Sequence, residues 1–479
     1  MNLFWRQLLL WICCFMCLCS AAQLDTLKPP VRPSNSFDTS VNSPLVIIAD
    51  IVITGNKKTK PYIIEREIPF KQGDYILKKD LEAKLTLAKQ QIINTSLFVD
   101  ADVYVSSQAG ELIFIKVDVK ERWYLFPLPY FKLVDRNFNQ WWVAENHSLK
   151  RVNYGLKFMQ NNVSGRNDML NVFLISGYNH EIDLQYIQPF ADRALKSGFD
   201  AHFVLSEQHE MNYGSVFSKQ AFFKENDNFT RKTIRIEAGY LYRPAVKTRY
   251  SFKISYVHEE LADTILKLNP NYFFGHVSKI SFPEVSYSMQ YFDVDNIAYP
   301  LNGLAGQFFF LQRGFSKQMN MTQLEFISSY SHPFVAKTNL QLQAAGIIRF
   351  PFQQPFYNQQ LFGYGDIFLR GLEYYVVDGV AGIVGRATER KQVLSFALKP
   401  HFKNKTYAPI SFRIYLKAFG DVGYGYNPNP GSSLLNNRFL NTGGFGFDVV
   451  SIYDAVFKFE YSFNQLGGRA LFFHVQADF

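Results

Sequence analysis

From Tyr124 to Phe479 the chain repeats one pattern, segments of about ten residues in which apolar and polar side chains alternate between clusters of Asn, Asp, Gly and Pro. A period of two puts every second side chain on the same face of a strand. In Arg151–Phe158, Val152, Tyr154, Leu156 and Phe158 share one face, and Arg151, Asn153, Gly155 and Lys157 share the other. Thr233–Tyr242 sets Ile234, Ile236, Ala238, Tyr240 and Tyr242 against Arg235, Glu237 and Gly239. Tyr250–His258 repeats it, with Lys253, Ser255 and then Glu259 on the polar face. Beyond residue 22 no uncharged apolar run reaches the roughly eighteen residues a helical span requires, so membrane helices are excluded there. The chain is 17% aromatic, with 47 Phe and 28 Tyr, yet its mean hydropathy is only −0.11. Alternating lipid-facing and lumen-facing residues cancel in such an average, and aromatic strand ends suit the membrane boundary. The expected fold is mainly β, an antiparallel transmembrane barrel. Segment counting gives sixteen or seventeen strands. The number must be even if the N-terminal unit and the C-terminus share a side of the membrane. Ser215–Phe223 lacks clean alternation; assigned to an external loop, it leaves sixteen.

The chain opens differently. Arg6 precedes the apolar run Leu8–Leu18, and Ser20-Ala21-Ala22 supplies the small residues of a signal-peptidase site. Residues 1–22 are expected to be a cleaved signal peptide, with the mature chain starting at Gln23. All four cysteines, Cys13, Cys14, Cys17 and Cys19, fall inside it. The mature chain then has no disulfide and no thiolate metal site. Leu18 before Cys19 argues against lipidation. Residues 23–43, rich in Pro, Ser, Thr and Asn, read as a linker.

Residues 44–122 read as a small α/β unit. A strand over Ile47–Thr54 ends at Gly55-Asn56. Thr59 is placed to cap a short helix that has Pro61 in its first turn and continues through Ile64 and Ile68. A second helix carries Leu77, Leu81, Leu85, Ala88 and Ile92 on one face. Strands over Val99–Val105 and Leu112–Val119 follow. The order strand–helix–helix–strand–strand resembles a POTRA domain, the periplasmic module that precedes some outer-membrane barrels. That resemblance implies binding of extended polypeptide by strand addition at a sheet edge; the alternative is a rigid spacer.

Two motifs lie within the barrel, which spans residues 123–479. Gly363–Gly379 reads GYGDIFLRGLEYYVVDG between two strand signals. Its core, Leu369-Arg370-Gly371-Leu372, resembles the Val-Arg-Gly-aromatic loop motif of the BamA/TamA family of assembly and secretion proteins. Phe419-Gly420-Asp421-Val422-Gly423 matches that family's FxDxG strand motif. The resemblance implies that the 350–390 loop folds into the lumen and that Arg370 pairs with Asp421. Alternation independently puts Phe419, Asp421 and Gly423 on the lumen face, with Arg413, Tyr415 and Lys417, while Gly371 and Gly423 permit close backbone approach. Asp295–Gly303 resembles the family's turn three strands earlier. The sequence departs from the pattern at Leu372, where the family has an aromatic; Tyr374 follows two residues on. A single POTRA-like unit is a second departure. In the last strand Leu471, Phe473, Val475, Ala477 and Phe479 alternate outward, and the chain stops on an aromatic. This resembles the C-terminal signal of outer-membrane proteins.

Pro127 and Pro129 fall at the start of the barrel. Either they lie within a first strand over Tyr124–Val134, each removing a ladder donor, or they belong to the linker and the strand begins at Tyr130. The family's mechanism implies a weak seam between first and last strands where a client strand pairs. The function expected is insertion or assembly of client β-barrel proteins in the outer membrane; a secretion pore with a loop plug and a passive solute channel are the alternatives. The partners implied are unfolded outer-membrane or secreted polypeptides, outer-membrane lipid, and periplasmic or lipoprotein accessory subunits. The net charge of +9 is diffuse, which gives no footprint for nucleic acid. No G-x-S-x-G, H-E-x-x-H or P-loop occurs, and the nine histidines lack ligand spacing, so no catalytic residue, metal or cofactor is expected.

Overall fold

A computed structural model describes residues 45–133, 152–225, 227–398, 410–451 and 455–475. The expected signal peptide, the linker and the terminal Phe479 lie outside these residues.

The N-terminal unit is built from β1 (Leu45–Thr54), α1 (Pro61–Glu65), β2 (Tyr75–Leu77), α2 (Lys78–Ile93), β3 (Phe98–Ala109) and β4 (Leu112–Glu121). Its sheet has the order β2-β1-β4-β3, with β1 and β4 parallel. Ile113, Ile115, Val117 and Val119 point from β4 into a core shared with Ile48, Ile63, Leu85, Ala88 and Ile92. Two local expectations are corrected. Helix α1 ends at Glu65, short of Ile68, and receives no side-chain cap. The Thr59 hydroxyl instead lies 3.1 Å from the Tyr124 hydroxyl and accepts from Asn162 Nδ2 at 2.9 Å. Leu77 belongs to β2 and is exposed, because the helix begins one residue later.

The remaining strands are β5 (Leu125–Leu133), β6 (Val152–Asn161), β7 (Met169–Gly177), β8 (His180–Gln188), β9 (Ser197–Gln208), β10 (Glu210–Val216), β11 (Lys219–Lys224), β12 (Arg231–Tyr242) and β13 (Thr248–Leu261). After helix α3 (Asp263–Leu268) come β14 (Lys279–Val294), β15 (Gly303–Arg313), β16 (Met321–Val335), β17 (Thr338–Phe350), β18 (Gln360–Phe362) and β19 (Val377–Asp378). The chain closes with β20 (Ala381–Leu398), β21 (Ile410–Tyr426), β22 (Phe439–Val450), β23 (Val456–Asn464) and β24 (Arg469–Val475). Sixteen of them form one antiparallel up-and-down barrel sheet, ordered from β24 through β20, β17 and β12 to β9 and β5. No described helix is long and apolar enough to cross a membrane.

The outer face is apolar. Ile236, Tyr240, Phe252, Ile254, Leu416, Val422, Phe445 and Phe473 are all exposed there. The inner face carries paired charges: Lys253 meets Asp200 at 2.6 Å and Glu237 at 2.8 Å, and Glu284 joins Arg235 at 2.7 Å and Arg313 at 2.6 Å. Segment 215–223, expected in an external loop, lies outside the sixteen-stranded sheet, but it is regular there. It forms most of a separate hairpin, β10–β11, whose two-residue turn puts Phe217 and Ser218 at positive φ. Its alternation is unclear because it packs over two other connections, through Ser215 to Asp378 between β17 and β20 and through Ser218 to Ser433 between β21 and β22.

The prolines lie inside the first strand, which starts at Leu125 and not at Tyr130. The Asn161 amide donates to Tyr124 O at 2.8 Å, directly across from it in register. In an antiparallel ladder such pairs recur every second residue, so Phe126, Leu128, Tyr130 and Lys132 turn their backbone groups to β6. Leu125, Pro127, Pro129, Phe131 and Leu133 turn theirs to the other edge. Both prolines therefore delete donors from the edge that faces away from β6. Strands β5 and β24 end the sheet order, and among the described residues no ladder joins them.

The domain seats on four successive turns at its end of the barrel. The Lys60 amide donates to Gly165 O at 3.0 Å in the β6–β7 turn. Arg66 donates to Leu195 O at 2.7 Å in the β8–β9 turn, and Phe190 of that turn is buried within the domain's own core. Arg243, between β12 and β13, forks onto Glu67 at 2.7 and 2.8 Å. Asn94, capping α2, donates to Val294 O and accepts from the Ile297 amide at the β14–β15 turn.

Candidate functional site

The longest connection inside the barrel sheet, residues 351–380 between β17 and β20, turns back between the walls. Arg349 at the end of β17 fixes its root. That guanidinium donates to Asn358 O at 2.8 Å, Gly379 O at 3.1 Å and Gln360 O at 2.8 Å, so one side chain holds both legs. The short pair β18–β19 ties the legs together. Leu361, Phe362, Leu369, Leu372 and Val377 pack against Ile347, Val384, Leu435 and Leu440. The loop is thus anchored by an apolar patch as well as by charge.

At its tip Leu369 and Leu372 close a tight turn through a 3.0 Å backbone bond, and Gly371 takes φ +92°. Only glycine adopts that region without strain, and a Cβ would sit 3.1 Å from Ser462 Cβ. Arg370 is carried inward to β21. Its backbone amide donates to Asp421 Oδ2 at 2.9 Å, its Nε to the same oxygen at 3.0 Å, and its Nη2 to Oδ1 at 2.5 Å. Nη1 donates to Thr388 Oγ1 on β20 at 2.9 Å, and the guanidinium lies 4.1 Å from the Phe419 ring centroid. Asp421 is 1% exposed and Arg370 8%. A planar fork with a carboxylate, an added hydroxyl and a ring face defines orientation as well as position. Gly423 leaves the space that Leu369 fills; a Cβ there would meet the Leu369 methyls at 3.2 Å. Leu372 is buried in the apolar patch, and the exposed Tyr374 sets its ring 5.3 Å from that of Phe472.

The tip also touches the last two strands. Asn464 Nδ2 donates to Gly371 O at 2.6 Å, and His474 Nε2 lies 3.5 Å from Glu373 and 3.6 Å from Glu460. These last three groups place their ligand atoms within 4.8 Å of one another, an arrangement capable of holding a metal ion. Their spacing hid it, since they come from a loop and two strands. Glu460 is already engaged by Lys417 at 2.7 Å, so the cluster reads first as a charged contact between loop and wall. Lys417 continues to Asp448, which accepts from the Tyr299 hydroxyl at 2.9 Å. Tyr299 belongs to the Asp295–Gly303 turn, which folds into the barrel mouth beneath Arg390 and Tyr415. Beside the loop remains a cavity of about 650 Å³, lined by Glu325, Asp366, Arg370, Arg386 and Lys417 among others.

All seven motif residues, Leu369, Arg370, Gly371, Leu372, Phe419, Asp421 and Gly423, meet in this one region. Phe473 and Val475 lie apart from it, exposed on the outer face of β24. Arg349, Thr388, Asn464 and His474 complete the site without any short motif to mark them, together with Glu373, which follows the loop motif's core directly.

Residues 46–122 match the family model POTRA, described as surface antigen variable number repeat. No curated protein matches the chain. Among solved structures, BamA from Haemophilus ducreyi lacking POTRA domains 1–3 is 14% identical, covers 89% of this chain and 83% of its own, and has a TM-score of 0.48. CdiB from Escherichia coli is 10% identical over 94% of this chain and 93% of its own, with a TM-score of 0.46. CdiB from Acinetobacter baumannii is 13% identical over 89% of this chain and 73% of its own, with a TM-score of 0.42.

Proposed function

We propose that this chain is a polypeptide-handling barrel of the outer membrane, of the BamA/TamA type, with its POTRA-like domain in the periplasm. In this reading it inserts client β-barrel proteins through the edge between β5 and β24, without catalysis or cofactor. The observation that carries it is the placement of Pro127 and Pro129. Both remove donors from the edge that would have to close the barrel, and neither weakens pairing with β6. Unpaired backbone is costly in lipid, so an impaired closing edge favours exchange with an incoming strand. The POTRA match and the motif pair support the same reading. Unfolded polypeptides, lipid at the seam and periplasmic or lipoprotein subunits at the domain would be its partners.

A second reading has its own support. The 351–380 loop is held in the lumen by a buried fork, which suits a plug released during secretion of a polypeptide. The two readings separate on depletion followed by outer-membrane proteomics. Broad loss of barrel proteins supports insertion, loss of a single secreted protein supports secretion, and an unchanged proteome favours a solute channel. The seam itself is tested by cross-linking a cysteine at Phe131 to one at Leu471, Phe473 or Val475. Client insertion into lipid vesicles should be abolished and should return on reduction. Full activity of the cross-linked protein would sink the lateral-edge mechanism.

A further inference from the structure

Between helix α2 and the barrel mouth lies a cavity of about 260 Å³ that the proposed function leaves unused. Its walls include Gln91 of α2 and the capping Asn94 after it, Arg243 and Lys247 of the β12–β13 turn, Arg249 of β13 and Asp295. Most of its polar groups are already engaged. Arg243 holds Glu67 and Val246 O, Lys247 pairs with Asp293 at 2.7 Å, and Asp295 Oδ1 accepts the amides of Leu301 and Asn302. Asn94 is used by Val294 and Ile297.

Arg249 differs. Among the described residues its guanidinium makes no hydrogen bond and no ion pair; its Nε is buried, and its one ring contact is Phe292 at 5.1 Å. Arg249 as a whole is half-buried, and a partly desolvated cation lacking an acceptor is unfavourable. Gln91 Oε1 is likewise buried without a partner, and a flipped amide would offer its NH₂ group to a shared ligand. The local charge is also unbalanced. Arg66 and Arg243 add positive field at Arg249 against Glu67, and Lys247 and Asp293 cancel. With Asp295 counted, one positive charge remains, so a single monoanion restores balance. A dianion would sit close to Asp293 and Asp295.

We propose that this cavity binds a carboxylate, received by Arg249 as a two-point pair, either as a small free acid or as an acidic side chain of a polypeptide lying between domain and barrel. The test uses the full chain purified in detergent and needs no insertion assay, so its failure is independent of the function proposed above. Binding is measured by fluorescence anisotropy for a labelled Gly-Ser peptide carrying one Glu, and for its Gln twin, with acetate and inorganic phosphate as competitors. The Glu peptide should bind at least about tenfold more tightly than its twin, Arg249→Gln should remove that preference, and Arg249→Lys should keep part of it. Because Arg249 makes no hydrogen bond, Arg249→Gln should unfold at a temperature equal to or above wild type, which separates lost binding from lost folding. Acetate that raises the wild-type but not the Arg249→Gln melting temperature, without any peptide preference, would support the site with a small acid as its ligand. Equal binding of both peptides with no acetate effect, undiminished binding by Arg249→Gln, or stronger competition by phosphate than by acetate would overturn the proposal.

Discussion

At the scale of single residues, the Arg370–Asp421 fork ties the loop tip to β21. Removing one partner of a buried pair leaves the other desolvated, at a cost of roughly 3–5 kcal/mol. Arg370→Ala should therefore free the loop tip and raise single-channel conductance in planar bilayers. Arg370→Lys keeps the charge but loses the fork and the Thr388 bond, so it should fall between the two. Wild-type conductance in the alanine variant would sink the plug. Gly371→Ala offers a subtler probe. Its φ of +92° and the nearby Ser462 Cβ make any side chain strained, by about 1–2 kcal/mol on the backbone term alone. Limited proteolysis should cut between residues 363 and 376 faster in this variant, while cleavage rates elsewhere stay unchanged. The pairing of Arg370 with Asp421 was legible because both sit in short recognisable motifs. Arg349 was not, since a lone arginine at a strand end looks like any lumen charge until the loop legs converge on it.

At the scale of elements, alternation located the barrel strands because one face meets lipid and the other meets charge. It failed where that environment stops. The β10–β11 hairpin packs over the inserted loop, and α3 lies in the connection between β13 and β14, so neither shows the barrel's period. Val257 is buried on the polar face because it meets the cluster of Tyr272, Phe273 and Phe356 at that end. For β5 the sequence left two boundaries open, and the register with β6 chose between them. That choice yields a prediction. Both prolines have exposed side chains, so Pro127→Val with Pro129→Val should fit the outer face while restoring two edge donors. At about 0.5–1.5 kcal/mol each, closure should strengthen by about 1–3 kcal/mol. Client insertion should slow, and the temperature at which the folded barrel unfolds on semi-native gels should rise. Faster insertion would contradict the edge argument.

At the scale of the whole molecule, the domain and the barrel share a core and four turn contacts, none of which the sequence could place. The partners lie far apart in the chain, Glu67 from Arg243 by 176 residues and Asn94 from Ile297 by 203. Glu67 holds the junction together. It is 1% exposed and lies against Arg66 at 3.0 Å as well as Arg243, while both guanidinium groups rest near the Phe190 ring. Glu67→Ala would leave two buried guanidinium groups facing each other without their shared carboxylate. The expected loss is again about 3–5 kcal/mol, concentrated where Phe190 enters the domain core. In the wild type the domain should therefore melt together with the barrel in one calorimetric transition. In Glu67→Ala it should melt earlier and separately, with the barrel transition unmoved, because the barrel's own ladders and the Arg370 fork are untouched. A single unshifted transition in the variant would mean that the Glu67 carboxylate contributes little, and that the contacts of Lys60, Arg66 and Asn94 with the turns are enough to keep the domain coupled to the barrel.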